Sequence, residues 1–151
     1  SVGGISVGAY DLVVPVAEEM GVKTCFHKVS QKPGKPLYFG TRGHTWCVGL
    51  PGNPSSALVC FYVYLRPVLQ EWMGKEPAQW NVRARTMAAF PKKRGLRHFL
   101  KAWYKDGEVW PLQAQESFRL HTFKEANALV VLPEDGEGAK VGDTVEVMLL
   151  P

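Results

Sequence analysis

The segment HKVSQKPGKP, His27 to Pro36, places Lys28, Lys32 and Lys35 within eight residues. Pro33 and Pro36 stiffen it, so its ammonium groups lose less freedom when they close on an anion. Lysines in such a loop act as point charges suited to phosphate or another oxyanion; a solvated basic loop is the plainer alternative. A second stretch, GLPGNPSSA from Gly49 to Ala57, has the form of a strand-to-helix turn. Asn53 is a natural N-cap and Pro54 fits the first helical position. Ser55 and Ser56 add hydroxyls beside free backbone amides, at the place on an α/β sheet where ligands commonly bind. A purely structural cap would look the same. A third stretch, GGISVG from Gly3 to Gly8, can bring backbone amides close to a ligand, or it is a tight turn.

Asp11 could hold a divalent cation or orient a water beside such anions, although a lone carboxylate in a first helical turn commonly serves the helix dipole. His27, His44, His98 and His121 show no metal-ligand spacing and read as surface or hydrogen-bonded residues. Cys25, Cys47 and Cys60 form no CxxC and sit in apolar contexts, which predicts reduced core thiols in a cytoplasmic protein.

These groups need a frame. The chain has 151 residues, 46% of them hydrophobic, enough for one ordinary core or two small ones. No uncharged apolar run reaches the roughly 18 residues of a membrane span, and no secretory leader opens the chain. It begins SVGGISVG without Met, which suggests a piece cut just inside a functional loop. The net charge of +4 is unevenly spread. Between Pro77 and Lys105 stand eight Lys or Arg and no acid, whereas from Asp106 onward nine acids face three bases. A local basic face follows, suited to an anionic ligand or to nucleic acid.

The first half reads as α/β. DLVVPVAEEM predicts a helix with Asp11 in its first turn and Gly21 as its stop. VKTCFHKV predicts a strand, SQKPGKP a loop, and LYFGT and TWCVGL two strands around Arg42-Gly43-His44. A long helix is expected from Pro54 to about Met73, kinked or ended early at Pro67. Its circumference is so apolar that it must be buried on more than one side, by its own domain or by a partner chain. GKEPAQ, Gly74 to Gln79, is the linker candidate. Beyond it NVRARTMAAF, HFLKAWY, EVWPLQ, ANALVVLP and DTVEVMLL read as strands, with a hairpin at Lys105-Asp106-Gly107 and a turn at Phe123 to Ala126. The basic run KKRGLRHFLKAWY could bind nucleic acid by charge and stacking, but its aromatics fall on both faces of the strand, so one face is core. The expected architecture is an incomplete α/β domain, residues 1–76, followed by a small all-β barrel or sandwich, residues 77–151.

The order of these stretches is more specific than any one of them. GGISVGAYD, FHKVSQKPGKP, VGLPGNPSSA, the helix ending in RPVL, and LHTFKEANALVVLP together resemble the C-terminal part of a molybdopterin molybdenumtransferase, the family of bacterial MoeA and the gephyrin E domain. The resemblance spans essentially the whole chain. It implies part of a molybdopterin-binding, MogA-like three-layer α/β domain followed by a small β-barrel-like domain. It implies insertion of molybdate into adenylylated molybdopterin with release of AMP, assisted by Mg²⁺, in a cytoplasmic homodimer with no membrane or nucleic-acid partner. By motif matching, Asp11 corresponds to the acidic residue near metal and adenylate. Lys32, Lys35, Ser56 and Ser117 correspond to catalytic positions lining the oxyanion site. Gly3, Gly4, Ser6, Gly8, Lys28, Pro51, Gly52, Asn53, Pro54 and Arg97 correspond to substrate-binding positions.

The chain also departs from the family pattern. Ala9 stands where an acid is usual and Val2 where a hydroxyl residue is common. Phe118 adds bulk beside Ser117, and Leu96 occupies the position of the barrel arginine, so Arg97 or Arg94 must substitute for it. These departures imply a divergent member; the alternative is a molybdopterin-binding or scaffold homologue with weakened catalysis. The chain by itself is expected to have no turnover.

Overall fold

A computed structural model of the chain describes residues 1–5, 11–75, 81–113, 115 and 120–151. Helix α1 (Val13–Glu19) precedes a three-stranded antiparallel sheet of β1 (Lys23–Phe26), β3 (Tyr38–Arg42) and β4 (Thr45–Gly49), in the order β1-β3-β4. Between β1 and β3 runs the short strand β2 (Gln31–Lys32). Neighbouring residues of a strand face opposite sides of its sheet, and the sequence uses both. Tyr38 and Cys47 pack with Val13, Val14 and Ala17 of α1. Leu37, Val48 and Leu50 pack instead with Ala57, Cys60, Phe61 and Leu65 of the long helix. The sheet is thus held between helices, a three-layer arrangement.

The long helix runs from Pro54 to Trp72 in three sections, α2 (Pro54–Cys60), a π-helical turn (Phe61–Leu65) and α3 (Arg66–Trp72). Pro67 does not end it, contrary to one expectation. Proline lacks the N–H of an ordinary helical turn and its ring crowds the carbonyl four residues back; the wider π turn just before it accommodates both, and the helix continues. The apolar circumference has a direct cause. One side covers the sheet through Ala57, Cys60, Phe61 and Leu65. Another, Val59 and Val63, packs on Phe99, Leu129, Val131 and Met148 from the outer face of the second half.

That second half is a closed barrel. Strands β5 (Asn81–Thr86), β7 (Arg97–Lys105), β8 (Glu108–Pro111), β9 (Ala128–Leu132) and β11 (Thr144–Leu149) pair in the order β7-β8-β5-β11-β9, and β9 returns to β7. Its interior is Ala84, Leu100, Ala102, Val109, Val130, Leu132, Val145 and Val147, all buried. The Asp106-Gly107 turn has positive φ at both residues, as the hairpin reading required, with Lys105 opposite Glu108. A side ribbon pairs β6 (Phe90–Pro91) with β10 (Gly138–Ala139). The turn expected at Phe123 to Ala126 is a 3₁₀ turn spanning Leu120–Lys124.

Three local expectations are corrected. Asp11 lies before α1 and outside its first turn, because the helix starts only at Val13, whose N–H is held by the Gly4 carbonyl at 3.2 Å. Cys25 is exposed, not core: the β1–β3 register shifts between Thr24 and Phe26, leaving Cys25 as the extra residue of a bulge on an edge strand. Cys47 is half-buried and Cys60 fully buried. SQKPGKP is not all loop, since Gln31 and Lys32 pair in parallel with Arg97 and His98 of β7. That pairing stitches the two halves of the chain together.

Candidate oxyanion site

The basic loop is held from beneath by one buried amide. Gln31, 2% exposed, donates from Nε2 to the Pro33 carbonyl at 2.9 Å and to Cys60 Sγ at 3.6 Å. Its Oε1 accepts from the Tyr64 hydroxyl. Cys60 Sγ in turn donates to the Gly34 carbonyl at 3.6 Å. Gly34 has φ +89°, and a Cβ there would lie 2.5 Å from Cys60 Sγ, so only glycine lets the loop rest on the helix. Val29 and Leu37 both donate their N–H to the Lys35 carbonyl, closing the loop on itself. The Lys32–Pro33 peptide is cis. With their backbone pinned in this way, Lys32 and Lys35 project as exposed cations.

The helix end beside the loop is capped as its sequence requires. Asn53 Oδ1 accepts from the N–H of Ser55 at 3.2 Å and of Ser56 at 3.4 Å, and Pro54 occupies the first turn. Ser55 and Ser56 are buried. Burial pushes the Cys60 thiol up to about 12, only partly offset by the Gln31 hydrogen bond, so it is a structural thiol. Tyr64 is also raised, by burial first and then by Cys60, with Arg97 opposing; its hydroxyl keeps the proton it donates to Gln31.

Across from this loop stands the connection between β6 and β7. Lys92 Nζ donates to the Glu134 carbonyl at 3.1 Å, which fixes it against the barrel. Arg94 pairs with Glu137 at 3.3 Å, but both side chains are largely exposed, so the pair is weak and Arg94 can turn to another anion. Gln115 closes one wall, bridging Lys101 and Leu112 through its amide. Between these walls lies a cleft of about 1000 Å³. Lys32, Lys35, Lys92, Lys93 and Arg94 all line it, and no carboxylate does among the described residues. Ser56 contributes from the helix and His98 and Leu96 from the barrel rim.

The structure therefore brings together Lys32, Lys35 and Ser56 of the sequence-derived candidates. Gly3 and the PGNP turn form an adjacent locus: Val2 bridges Leu50, the Gly3 N–H bonds the Leu50 carbonyl at 3.0 Å, and a Cβ on Gly3 would lie 3.6 Å from Gly52 Cα. Gly4 joins it through its bond to Val13, next to Asp11. Pro51 and Asn53 lie in the turn that carries Ser56 to the cleft, and Pro54 begins the helix. Asp11 and Lys28 do not line the cleft. Arg97 lines a smaller depression with Arg83 and Glu146, so of the two substitutes for the missing arginine it is Arg94 that faces the cleft. Ser6, Gly8 and Ser117, with Ala9 and Phe118, lie outside the described residues. Sequence reasoning did not place Lys92, Lys93 and Arg94 at this cleft, their charge run being its only signal; it read His98 as a surface or hydrogen-bonded residue and missed Gln31.

Both halves of the chain are similar to known proteins. Residues 1–71 match the family described as a probable molybdopterin binding domain, and residues 83–150 that described as the MoeA C-terminal region (domain IV). A molybdopterin molybdenumtransferase of Bacillus subtilis is 30% identical over 98% of this chain and 36% of its own length. That of Haemophilus influenzae is 32% identical over 96% of this chain and 37% of its own. A molybdopterin biosynthesis moeA protein from Pyrococcus horikosii, solved by crystallography, superposes with a TM-score of 0.77 at 29% identity, over 92% of this chain and 34% of that one. The chain thus spans little more than a third of the length of these curated relatives. With the two matched regions in sequence along a sandwiched sheet and a closed barrel, the chain belongs to the molybdopterin molybdenumtransferase family and corresponds to its C-terminal portion.

Proposed function

We propose that the cleft between the KPGKP loop and the barrel holds molybdate while it is inserted into adenylylated molybdopterin with release of AMP. The observation that carries this reading is that five cationic residues line one cavity with no carboxylate among its described lining residues. Two anions, molybdate and a ligand already bearing phosphates, must meet there, and fixed positive charge offsets their repulsion. Lys32 and Lys35 draw the oxyanion, Ser56 supplies a hydroxyl at the helix end, and Arg94 serves in place of the arginine lost to Leu96. The glycines at Gly3 and Gly52 leave room for the substrate's backbone-contacting groups on the adjoining side.

Among the described residues no three metal-ligating side chains cluster. A resident, fully protein-ligated metal does not fit that donor set. A single carboxylate does fit the way Mg²⁺ is shared between a protein and its substrate's phosphates, and Asp11 is the residue that would supply it. Such an ion would neutralise phosphate charge. The division at residues 76 and 77 belongs to the same proposal, supported by the end of the helix at Trp72 and the start of β5 at Asn81. So do a homodimer, supported by the apolar end of the helix left open at Leu69, Trp72 and Met73, and a cytoplasmic location, supported by three unpaired cysteines.

The test is molybdate insertion by the intact protein carrying Lys32→Ala and Lys35→Ala. Each should lose roughly 100-fold in rate, the scale of losing one preorganised donor to a developing charge. Unchanged turnover would refute the site. Leu96 in the cleft favours a second reading, a homologue that binds adenylylated molybdopterin without inserting molybdate; ligand binding with no insertion by the unsubstituted intact protein would select it.

A further inference from the structure

His98 is the one imidazole among the described residues that line this cleft, and its surroundings are unusual. Strand alternation places it in the row His98, Leu100, Ala102, Tyr104 of β7, whose later members face the barrel interior. Across the ladder it pairs with Leu132, another interior residue, so the ring stands at the mouth of the barrel over an apolar floor. On its other side it is in register with Lys32 of β2. No hydrogen bond joins the imidazole to any described residue. The charged residues that line the cleft with it are all cationic, Lys32 from β2, Lys35 from the basic loop, and Lys92, Lys93 and Arg94 from the β6–β7 connection, and of these Lys92 and Lys32 act on the ring. Strand β9 offers only Leu132 there. Of the nearby acids, Glu137 is engaged by Arg94, and Glu134 meets Lys92 through its backbone carbonyl.

We propose that His98 is a proton-accepting ligand of the oxyanion held in this cleft: the imidazole takes a proton from solvent as the anion enters, so that Lys32, Lys92 and His98 grip it as three cations. The inference rests on the anion-site reading above. In the free protein, burial first, then Lys92 and Lys32, hold the ring below the ordinary histidine range, so it is neutral at pH 7. An anion seated between the same lysines removes their opposition and adds an attraction, so the bound ring's proton affinity rises. Binding is therefore coupled to proton uptake, and affinity strengthens as pH falls through the bound ring's range. A neutral ring also spares the free cleft a sixth positive charge beside the five cationic residues that line it.

Sulfate is the probe, since it remains a dianion throughout the range examined. Calorimetry on the intact protein from pH 6 to 8.5, in buffers of different ionisation enthalpy, should show uptake of up to one proton. The dissociation constant should rise with pH by at most about tenfold per unit, the limit for one coupled proton. His98→Gln should bind weakly with no proton uptake and no slope. His98→Arg should bind without slope and should match or exceed the parent at pH 8.5. Proton uptake that persists in His98→Gln would overturn the assignment while leaving the anion site intact. Sulfate binding that is absent, or that Lys32→Ala leaves unchanged, would overturn the site itself and this inference with it.

Discussion

At the scale of single residues, the site depends as much on what lies under the lysines as on the lysines. Gln31 joins the loop, Cys60 and Tyr64 through every polar atom of its amide. Gln31→Ala should remove the hydrogen bonds of the Tyr64 hydroxyl and the half-buried Pro33 carbonyl and cost about 0.5–1.5 kcal/mol for each, with a parallel loss of sulfate affinity; denaturant titration and calorimetry on the same variant read both. Ser56→Ala should weaken molybdate binding while the helix still starts, because Asn53 keeps its cap. Asn53→Ala should instead cost about 1 kcal/mol of stability, and a thermal melt separates the two. The cysteines divide as burial dictates. Cys25 should react with a thiol reagent in native protein at pH 8, whereas Cys60 should react only on unfolding, which mass spectrometry of labelled peptides resolves. Folded Cys60 binds its proton more tightly than the unfolded thiol. Its contribution to stability is therefore complete below about pH 9 and is lost as pH rises toward about 12. The stiff turns that carry Lys32, Lys35 and Ser56 were legible in the sequence because proline, glycine and serine spacing is local information, whereas the choice of an oxyanion role for these residues came only from the family resemblance. The part played by Gln31 was not legible, since its partners are up to 33 residues away.

At the scale of elements, the long helix is the hinge between what a sequence can and cannot reveal. Its span was legible from spacing, Pro54 to about Met73 expected and Pro54–Trp72 found. Its apolar circumference correctly demanded two buried sides. Which surfaces supply them was not legible, because the barrel contact through Phe99, Leu129 and Val131 is made by residues some forty to seventy positions downstream. Composition made each barrel strand readable and left barrel or sandwich as the two options; which strands close the barrel, the β7–β9 pairing, is a matter of topology that composition does not carry. The parallel pairing of β2 with β7 was hidden by prolines that read as loop, though Gln31 and Lys32 stand just before Pro33. Phe99 is 4% exposed and lies where the helix meets the barrel. Phe99→Ala should destabilise the fold by about 3–5 kcal/mol, seen as a lower denaturation midpoint. The π turn suggests a subtler test. Pro67→Ala restores an N–H to the helix and should be tolerated with little loss of stability, whereas a second proline at Leu69, beyond the wide turn, should cost about 3 kcal/mol or more.

At the scale of the whole molecule, the cleft is a joint. Lys32, Lys35 and Ser56 come from the sandwiched sheet and its helix; Lys92, Lys93, Arg94 and His98 come from the barrel. The two halves are otherwise tied by the β2–β7 pairing and by the helix lying on the barrel. Five cations brought together across that joint repel one another, a cost that the free protein bears and that a bound dianion relieves. Because the repulsion acts between the halves, an anion should stabilise them as one cooperative unit and not merely the half that contributes more contacts. At a hundred times its dissociation constant, an anion adds about 2.7 kcal/mol by mass action. Thermal denaturation with increasing molybdate or sulfate should therefore move a single transition upward, with the gain reduced at high ionic strength, as expected for an open basic cleft. Arg94→Ala on the barrel side and Lys35→Ala on the loop side should each blunt the shift. Two transitions, of which the ligand moves one alone, would mean that the anion is gripped from one side and that the cleft does not act as a joint.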